Sequence, residues 1–225
     1  MYDTAWIEAA TFQSGALIFL HGRGQPRPIT RYLASRLMTE DLILVLPEAP
    51  SQTWYPASFL ASLDINSRDL ERSLAYLDSV FSQVRELGIP AEKVTLAGFS
   101  QGAALAAEYV GRRGLCCNEL ICFTGGRIGP PSVTWSEQSQ LNGLSVLMSG
   151  DLNDPFVPYS RIQETAAHFA VRGAQVSIMQ FDDGEHMVRD DELEAGRKIM
   201  VGDISGVDTS NETGANHKWC GAASL

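Results

Sequence analysis

The stretch KVTLAGFSQGAALAA, from Lys93 to Ala107, sets a single hydroxyl, Ser100, between Gly98 and Gly102. Val94, Thr95, Leu96 and Ala97 read as a short buried strand, while the run from Ala103 to Ala107 consists of strong helix formers. A sharp bend must join the two, and a side chain on that bend points up and away from the sheet edge. The small neighbours Gly98 and Gly102 let strand and helix approach closely around it. G-x-S-x-G at a strand-to-helix turn is the pattern of a nucleophile elbow.

A serine hydroxyl is a weak nucleophile until a base accepts its proton, and the base needs an acidic partner to fix its tautomer and steady its positive charge. Where this elbow occurs, the partners follow in the order Ser, Asp or Glu, then His, on loops beyond later strands. Three histidines follow Ser100: His168, His186 and His217. His168 sits in ETAAHFAV, inside an amphipathic helix, which predicts a surface or packing role. His217 belongs to a polar tail. His186 follows the strand-like AQVSIMQF and the turn DDGE, where an acid–base group is expected. The acid should come from DLNDPFVP, and both Asp151 and Asp154 qualify by position. Pro155 restricts Asp154 to extended backbone, which holds its carboxylate in one direction; Asp151 also fits a turn residue whose carboxylate bonds nearby amides, and either acid is compatible with Ser100 and His186 on the residues alone.

Attack by a serine on a carbonyl passes through a transition state that carries an oxyanion, and losing one donor to it typically costs ~3 kcal/mol. One donor is expected from the Gln101 amide, immediately after the nucleophile. The other is expected from LHGRGQ, where Gly22 and Gly24 permit a tight turn that aims the Arg23 amide. His21, in the same loop, lacks a second ligand at zinc spacing and reads as a structural turn histidine, so no metal is expected. The segment Pro47–Asp64 is long for a connection in a compact domain, and such loops are commonly functional. Its Trp54, Tyr55 and Phe59 are candidates for the wall of an acyl or alcohol pocket, with Phe156 and Met187 beside the proposed acid and base. Some of these aromatics must instead pack the loop onto the sheet.

The elements needed to hold these groups are legible as periodicity. Short apolar runs at Ala16–Leu20, Leu42–Leu46, Val94–Gly98, Leu120–Phe123, Ser145–Met148 and Gln175–Phe181 predict six strands, most of them continuous enough to be covered on both faces. Between them, Leu70, Leu74, Leu77, Phe81 and Val84 build an apolar stripe along a helix over Asn66–Leu87, stopped by Gly88 and Pro90. Weaker helical patterns cover Arg31–Leu37, Gln101–Val110, Arg161–Val171 and Asp191–Met200. Strand and helix alternating in this way predict an α/β fold with a doubly wound, mostly parallel sheet. We expect one domain over residues 1–200, followed by a flexible tail over 201–225, which is rich in Gly, Ser, Asn and Thr.

The net charge of −10, from 17 basic and 27 acidic residues, repels nucleic acid and anionic membranes. No apolar run approaches the roughly 20 residues of a membrane span. The start MYDTAWIEAATFQSG lacks the basic and apolar regions of a secretory signal, so a cytoplasmic address is expected. Cys116, Cys117, Cys122 and Cys220 form no C-x-x-C pair and read as reduced packing residues.

Taken in order, LHGRG, TWYPASF, GFSQGAALA, DLNDPFVP and His186 resemble the phospholipase/carboxylesterase family of α/β-hydrolases, which includes the acyl-protein thioesterases; the resemblance covers roughly residues 14 to 200. It implies an α/β-hydrolase fold, a Ser100–Asp154–His186 triad, oxyanion donation from Arg23 and Gln101, and no metal or organic cofactor. Family members cleave carboxylic esters, and some cleave thioesters or lysophospholipids. The expected partner is therefore a small-molecule ester or thioester. A non-catalytic ligand-binding protein on the same scaffold is the rival reading, since a fold does not fix a function.

Overall fold

The computed structural model describes residues 6–8, 14–39, 41–131, 133–202 and 218–220. Its strands are β1 (Trp6–Glu8), β2 (Gly15–Leu20), β3 (Leu42–Leu46), β4 (Val94–Phe99), β5 (Glu119–Phe123), β6 (Ser145–Asp151), β7 (Gln175–Phe181) and β8 (Lys218–Cys220). The helices are α1 (Arg27–Leu37), α2 (Leu63–Glu86), α3 (Gln101–Arg113), α4 (Tyr159–Val171) and α5 (Asp190–Met200). The strands form one sheet in the order β1-β3-β2-β4-β5-β6-β7-β8. The six from β3 to β7 run parallel, and β1 and β8 close the two edges antiparallel.

The six strands expected from the sequence are those six. The edge strands escaped because three residues carry too little alternation to register as a pattern. Strand β8 lies in the segment expected to be a flexible tail, where Lys218 to Cys220 pair with Ile178 to Gln180 of β7; residues 203–217 and 221–225 lie outside the described residues. Helix α1 begins four residues before its expected start, because Pro26 and Pro28 stand at its opening, where a missing amide costs nothing.

The two faces of the sheet are buried separately. Alternate residues Ile18 and Leu20 of β2 belong to the core shared with Leu74 and Leu77 of α2, Leu105 of α3 and Ile162 of α4. Leu17 and Phe19 face the other way, toward Leu37 of α1 and Leu193 and Ile199 of α5. Each fully buried leucine contributes about 1.5–3 kcal/mol relative to exposure. Helix α3 is buried from Gln101 to Gly111. Strand order reverses at β2, which pairs with both β3 and β4. The crevice beyond the carboxyl ends of strands at such a switch point is where open α/β sheets bind ligands. Among the described residues no helix is long and apolar enough to cross a membrane.

Candidate active site

Ser100 follows the carboxyl end of β4 and opens α3 with φ 53° and ψ −116°. A non-glycine residue with this backbone stores about 1–3 kcal/mol of strain and persists only where its surroundings enforce it. Here the Ser100 amide donates to the Phe123 carbonyl at 2.9 Å, and the Ser100 carbonyl accepts from Ala104 at 2.9 Å. The flanking glycines are steric requirements. A Cβ on Gly102 would lie 2.3 Å from the Leu20 carbonyl oxygen, and one on Gly98 would lie 2.6 Å from the Gly102 backbone. Strand β2, strand β4 and helix α3 therefore meet at a distance that excludes any side chain.

The loops after β6 and β7 bring two further groups to the serine. His186 Nε2 lies 2.9 Å from Ser100 Oγ, and His186 Nδ1 lies 2.7 Å from Asp154 Oδ2. The Asp154 side chain is fully buried. Its other oxygen accepts from the amides of Phe156 at 2.7 Å and Val157 at 2.8 Å, in the turn opened by Pro155. A carboxylate can only accept, so Nδ1 carries the proton and Nε2 presents a lone pair to the hydroxyl. The rings of Phe99 and Phe156 flank the imidazole at 5.1 and 5.0 Å.

Asp151, the other acid considered, points elsewhere. Its Oδ1 accepts from the Asn153 amide at 2.7 Å and its Oδ2 faces Arg189 at 3.2 Å. It shapes the turn and does not touch the histidine.

Beside Ser100 lies a cavity of about 400 Å³ whose lining includes Arg23, Tyr55, Phe59, Gln101, Phe156 and His186. The two residues expected to offer oxyanion amides thus border the same space as the hydroxyl. Gln101 opens α3, whose first amides have no partner within the helix. Two of the five aromatic and apolar residues expected in the wall are absent from it. Trp54 is fully buried behind the wall, stacked on His21 at 4.7 Å between ring centroids, with its indole N–H donating to the His21 carbonyl at 2.9 Å. Met187 is 47% exposed and lies outside the lining. Indole carries a donor that needs a partner when buried, and the His21 carbonyl supplies it.

Two side-chain roles went unread in the sequence, where only the backbones of Arg23 and Gln101 were considered. The Arg23 guanidinium donates to the carbonyls of Tyr55, Pro56 and Ala57 at 2.8–3.0 Å. Gln101 Oε1 accepts from the Trp54 amide at 3.0 Å while its Nε2 donates to the Tyr55 carbonyl at 2.8 Å. The residues proposed to hold the oxyanion also pin the wall. Such multiple donors to main-chain carbonyls leave no trace in spacing or hydrophobic pattern.

The other described histidines are committed to packing. His21 is buried, with Nδ1 donating to the Gly22 carbonyl at 2.7 Å and Nε2 accepting from the Ala49 amide at 3.0 Å. Both nitrogens are used, and burial pushes its pKa down. His168 accepts at Nε2 from Arg127 at 3.1 Å and Arg172 at 3.3 Å. Burial and these two cations lower it to about 4. His217 lies outside the described residues.

The sequence pattern of the family described as Phospholipase/Carboxylesterase matches residues 4–200. The chain belongs to the phospholipase/carboxylesterase family. It is similar to a phospholipase/carboxylesterase from Dyadobacter fermentans, at 30% identity and a TM-score of 0.83, over 88% of this chain and 95% of that one. It also resembles acyl-protein thioesterase 1 of Yarrowia lipolytica, 26% identical over 122 residues; the match spans 47% of this chain and about half, 54%, of that relative. A carboxylesterase from Bacillus cereus shares the fold at 17% identity and a TM-score of 0.74, over 91% of this chain and 95% of that one. Family and structural neighbours together indicate an esterase-type hydrolase on an α/β-hydrolase fold.

Proposed function

We propose that this family member is a serine carboxylesterase that works through an acyl-enzyme on Ser100. The observation that carries the reading is the continuous contact from Asp154 through His186 to Ser100, at 2.7 and 2.9 Å. His186 Nε2 takes the proton of Ser100 as Oγ bonds to the ester carbonyl carbon, and the carbonyl oxygen becomes an oxyanion facing the Arg23 and Gln101 amides. The intermediate collapses, the carbon–oxygen bond to the leaving group breaks, and His186 returns the proton to the departing alcohol. Water then repeats the sequence and frees the acid. Asp154 holds the imidazole in the required tautomer and steadies its cation.

Tyr55, Phe59 and Phe156 border the cavity and suit an apolar acyl group. Thioester hydrolysis is the second reading, supported by the likeness to acyl-protein thioesterase 1, and lysophospholipid cleavage shares its chemistry. A ligand-binding role without turnover is disfavoured, because a strained serine within 2.9 Å of an imidazole is unneeded for binding.

The test is a serine-directed fluorophosphonate applied to the wild type and to Ser100→Ala. Labelling is expected at Ser100 in the first and nowhere in the second, and esters of graded acyl length with matched thioesters then separate the two substrate readings. Labelling at another residue, or full turnover by Ser100→Ala, overturns the assignment.

A further inference from the structure

We propose that Arg189 is a positioning residue for the proton relay: its guanidinium fastens the loop that carries Asp154 to the loop that carries His186. The inference rests on the esterase reading above and adds a residue that neither the elbow nor the triad pattern names.

Asp154 and His186 come from loops beyond two neighbouring strands, β6 and β7, and their 2.7 Å contact survives only if those loops keep their separation. Arg189 spans that gap. On the acid side its Nη2 lies 3.2 Å from Asp151 Oδ2. Asp151 in turn accepts from the Asn153 amide through Oδ1 at 2.7 Å, and its carbonyl faces the Asp154 amide at 3.4 Å. On the base side, Arg189 Nε donates to Asp183 Oδ2 at 3.0 Å and Nη2 bonds Asp183 Oδ1. Nη2 also donates to the carbonyl of Glu185 at 3.1 Å, the residue immediately before His186.

The clamp is anchored from beneath. The guanidinium lies over the Phe181 ring, 4.1 Å from its centroid. Arg189 Nη1 lies 3.5 Å from Glu192 Oε2, and that oxygen accepts from the Arg189 amide at 2.6 Å. The other Glu192 oxygen bonds Ser149 Oγ of β6. Asp151 and Glu192 have fully buried side chains and both lie against the Arg189 guanidinium, which offsets the cost of burying carboxylates; burial pushes the Glu192 pKa up. Bonding to Arg189 holds Asp183 below the usual carboxylate range, which keeps that side of the clamp ionised. The planar fork matters as much as the charge, since a lysine ammonium cannot reach the Asp183 carboxylate at two points and Asp151 as well.

The variants Arg189→Lys and Asp183→Asn test the assignment. Three readouts apply: kcat and KM on p-nitrophenyl acetate, the rate of fluorophosphonate labelling at Ser100, and the downfield proton resonance of His186 Nδ1–H. Because small misplacements of reacting groups are costly in rate, Arg189→Lys should lose about 10- to 100-fold in kcat with KM within about 2-fold. Labelling should slow in parallel, and the Nδ1–H resonance should broaden or vanish. Asp183→Asn, at a half-exposed position that leaves the buried charges paired, should move all three in the same direction by about 3- to 10-fold. If Arg189→Lys fails to fold, Asp183→Asn decides alone. Both variants labelled at the wild-type rate, with the resonance intact, overturn the Arg189 assignment and leave the esterase reading standing. A wild-type chain not labelled at Ser100 overturns both.

Discussion

His21 and His186 each have both ring nitrogens engaged, at nearly equal distances, yet only His186 lies between two side chains that can themselves take part in proton transfer. His21 donates to one backbone carbonyl and accepts from one backbone amide. Neither partner can change its protonation state, so the ring is locked as a neutral spacer between the loop after β2 and the loop after β3. His186 sits between a carboxylate, which stabilises a cation, and a hydroxyl, which can surrender its proton. The lesson is that occupancy of an imidazole says little, whereas the chemistry of its two partners says which histidine can work.

Breaking the second arrangement should cost most. His186→Ala and Asp154→Asn are expected to lower kcat by about 10³- to 10⁴-fold or more, because a triad member acts as part of a unit. Asp151→Asn, which weakens the Arg189 clamp but removes no partner of the imidazole, should cost far less, on the scale expected of Asp183→Asn; steady-state turnover of the three variants reads the difference, and equal losses for Asp151→Asn and Asp154→Asn would erase the distinction between the two acids. His21→Ala attacks stability instead. It strands a buried carbonyl and a buried amide and should lower the unfolding free energy by about 2–4 kcal/mol, measured by urea denaturation, while Ser100 is still labelled in the folded fraction. Undiminished stability would show that His21 is no spacer.

Acid sharpens the contrast more gently. Burial lowers the pKa of His21, and burial with Arg127 and Arg172 holds His168 at about 4. As pH falls below about 6.5 the unfolded chain binds protons that these two native imidazoles refuse, so stability is intact above that value and declines toward pH 4. Thermal unfolding at pH 7, 5.5 and 4.5 should show a falling Tm, with a shallower fall in His168→Gln. A slope identical to wild type in that variant would remove His168 from the account.

Much of this was legible before any coordinates. The elbow is visible because its geometry demands Gly98 and Gly102, and Pro155 marks the backbone that aims Asp154. His186 stands out because the other histidines fall in a helix, a glycine turn or a polar tail. The continuous apolar runs of β2 to β7 announce a sheet covered on both faces. What stayed hidden depends on where long side chains end. Trp54 looks like a pocket wall until its indole finds the His21 carbonyl, and Met187 adjoins His186 in sequence yet lies outside the lining. The guanidinium of Arg23 and that of Arg189 reach partners 32 to 38 positions away, which no local pattern encodes.

One consequence of the Arg23 bonds concerns how acyl length would be sensed. The same residue contributes the amide proposed to meet the oxyanion and grips the carbonyls of three successive residues that border the cavity, where the acyl group is proposed to lie. A tight-fitting acyl group that stills this rim also stills the amide, so chain-length preference should be expressed in turnover as well as in affinity. Discrimination among fatty groups then becomes a matter of how well each substrate completes the electrostatics of its own cleavage.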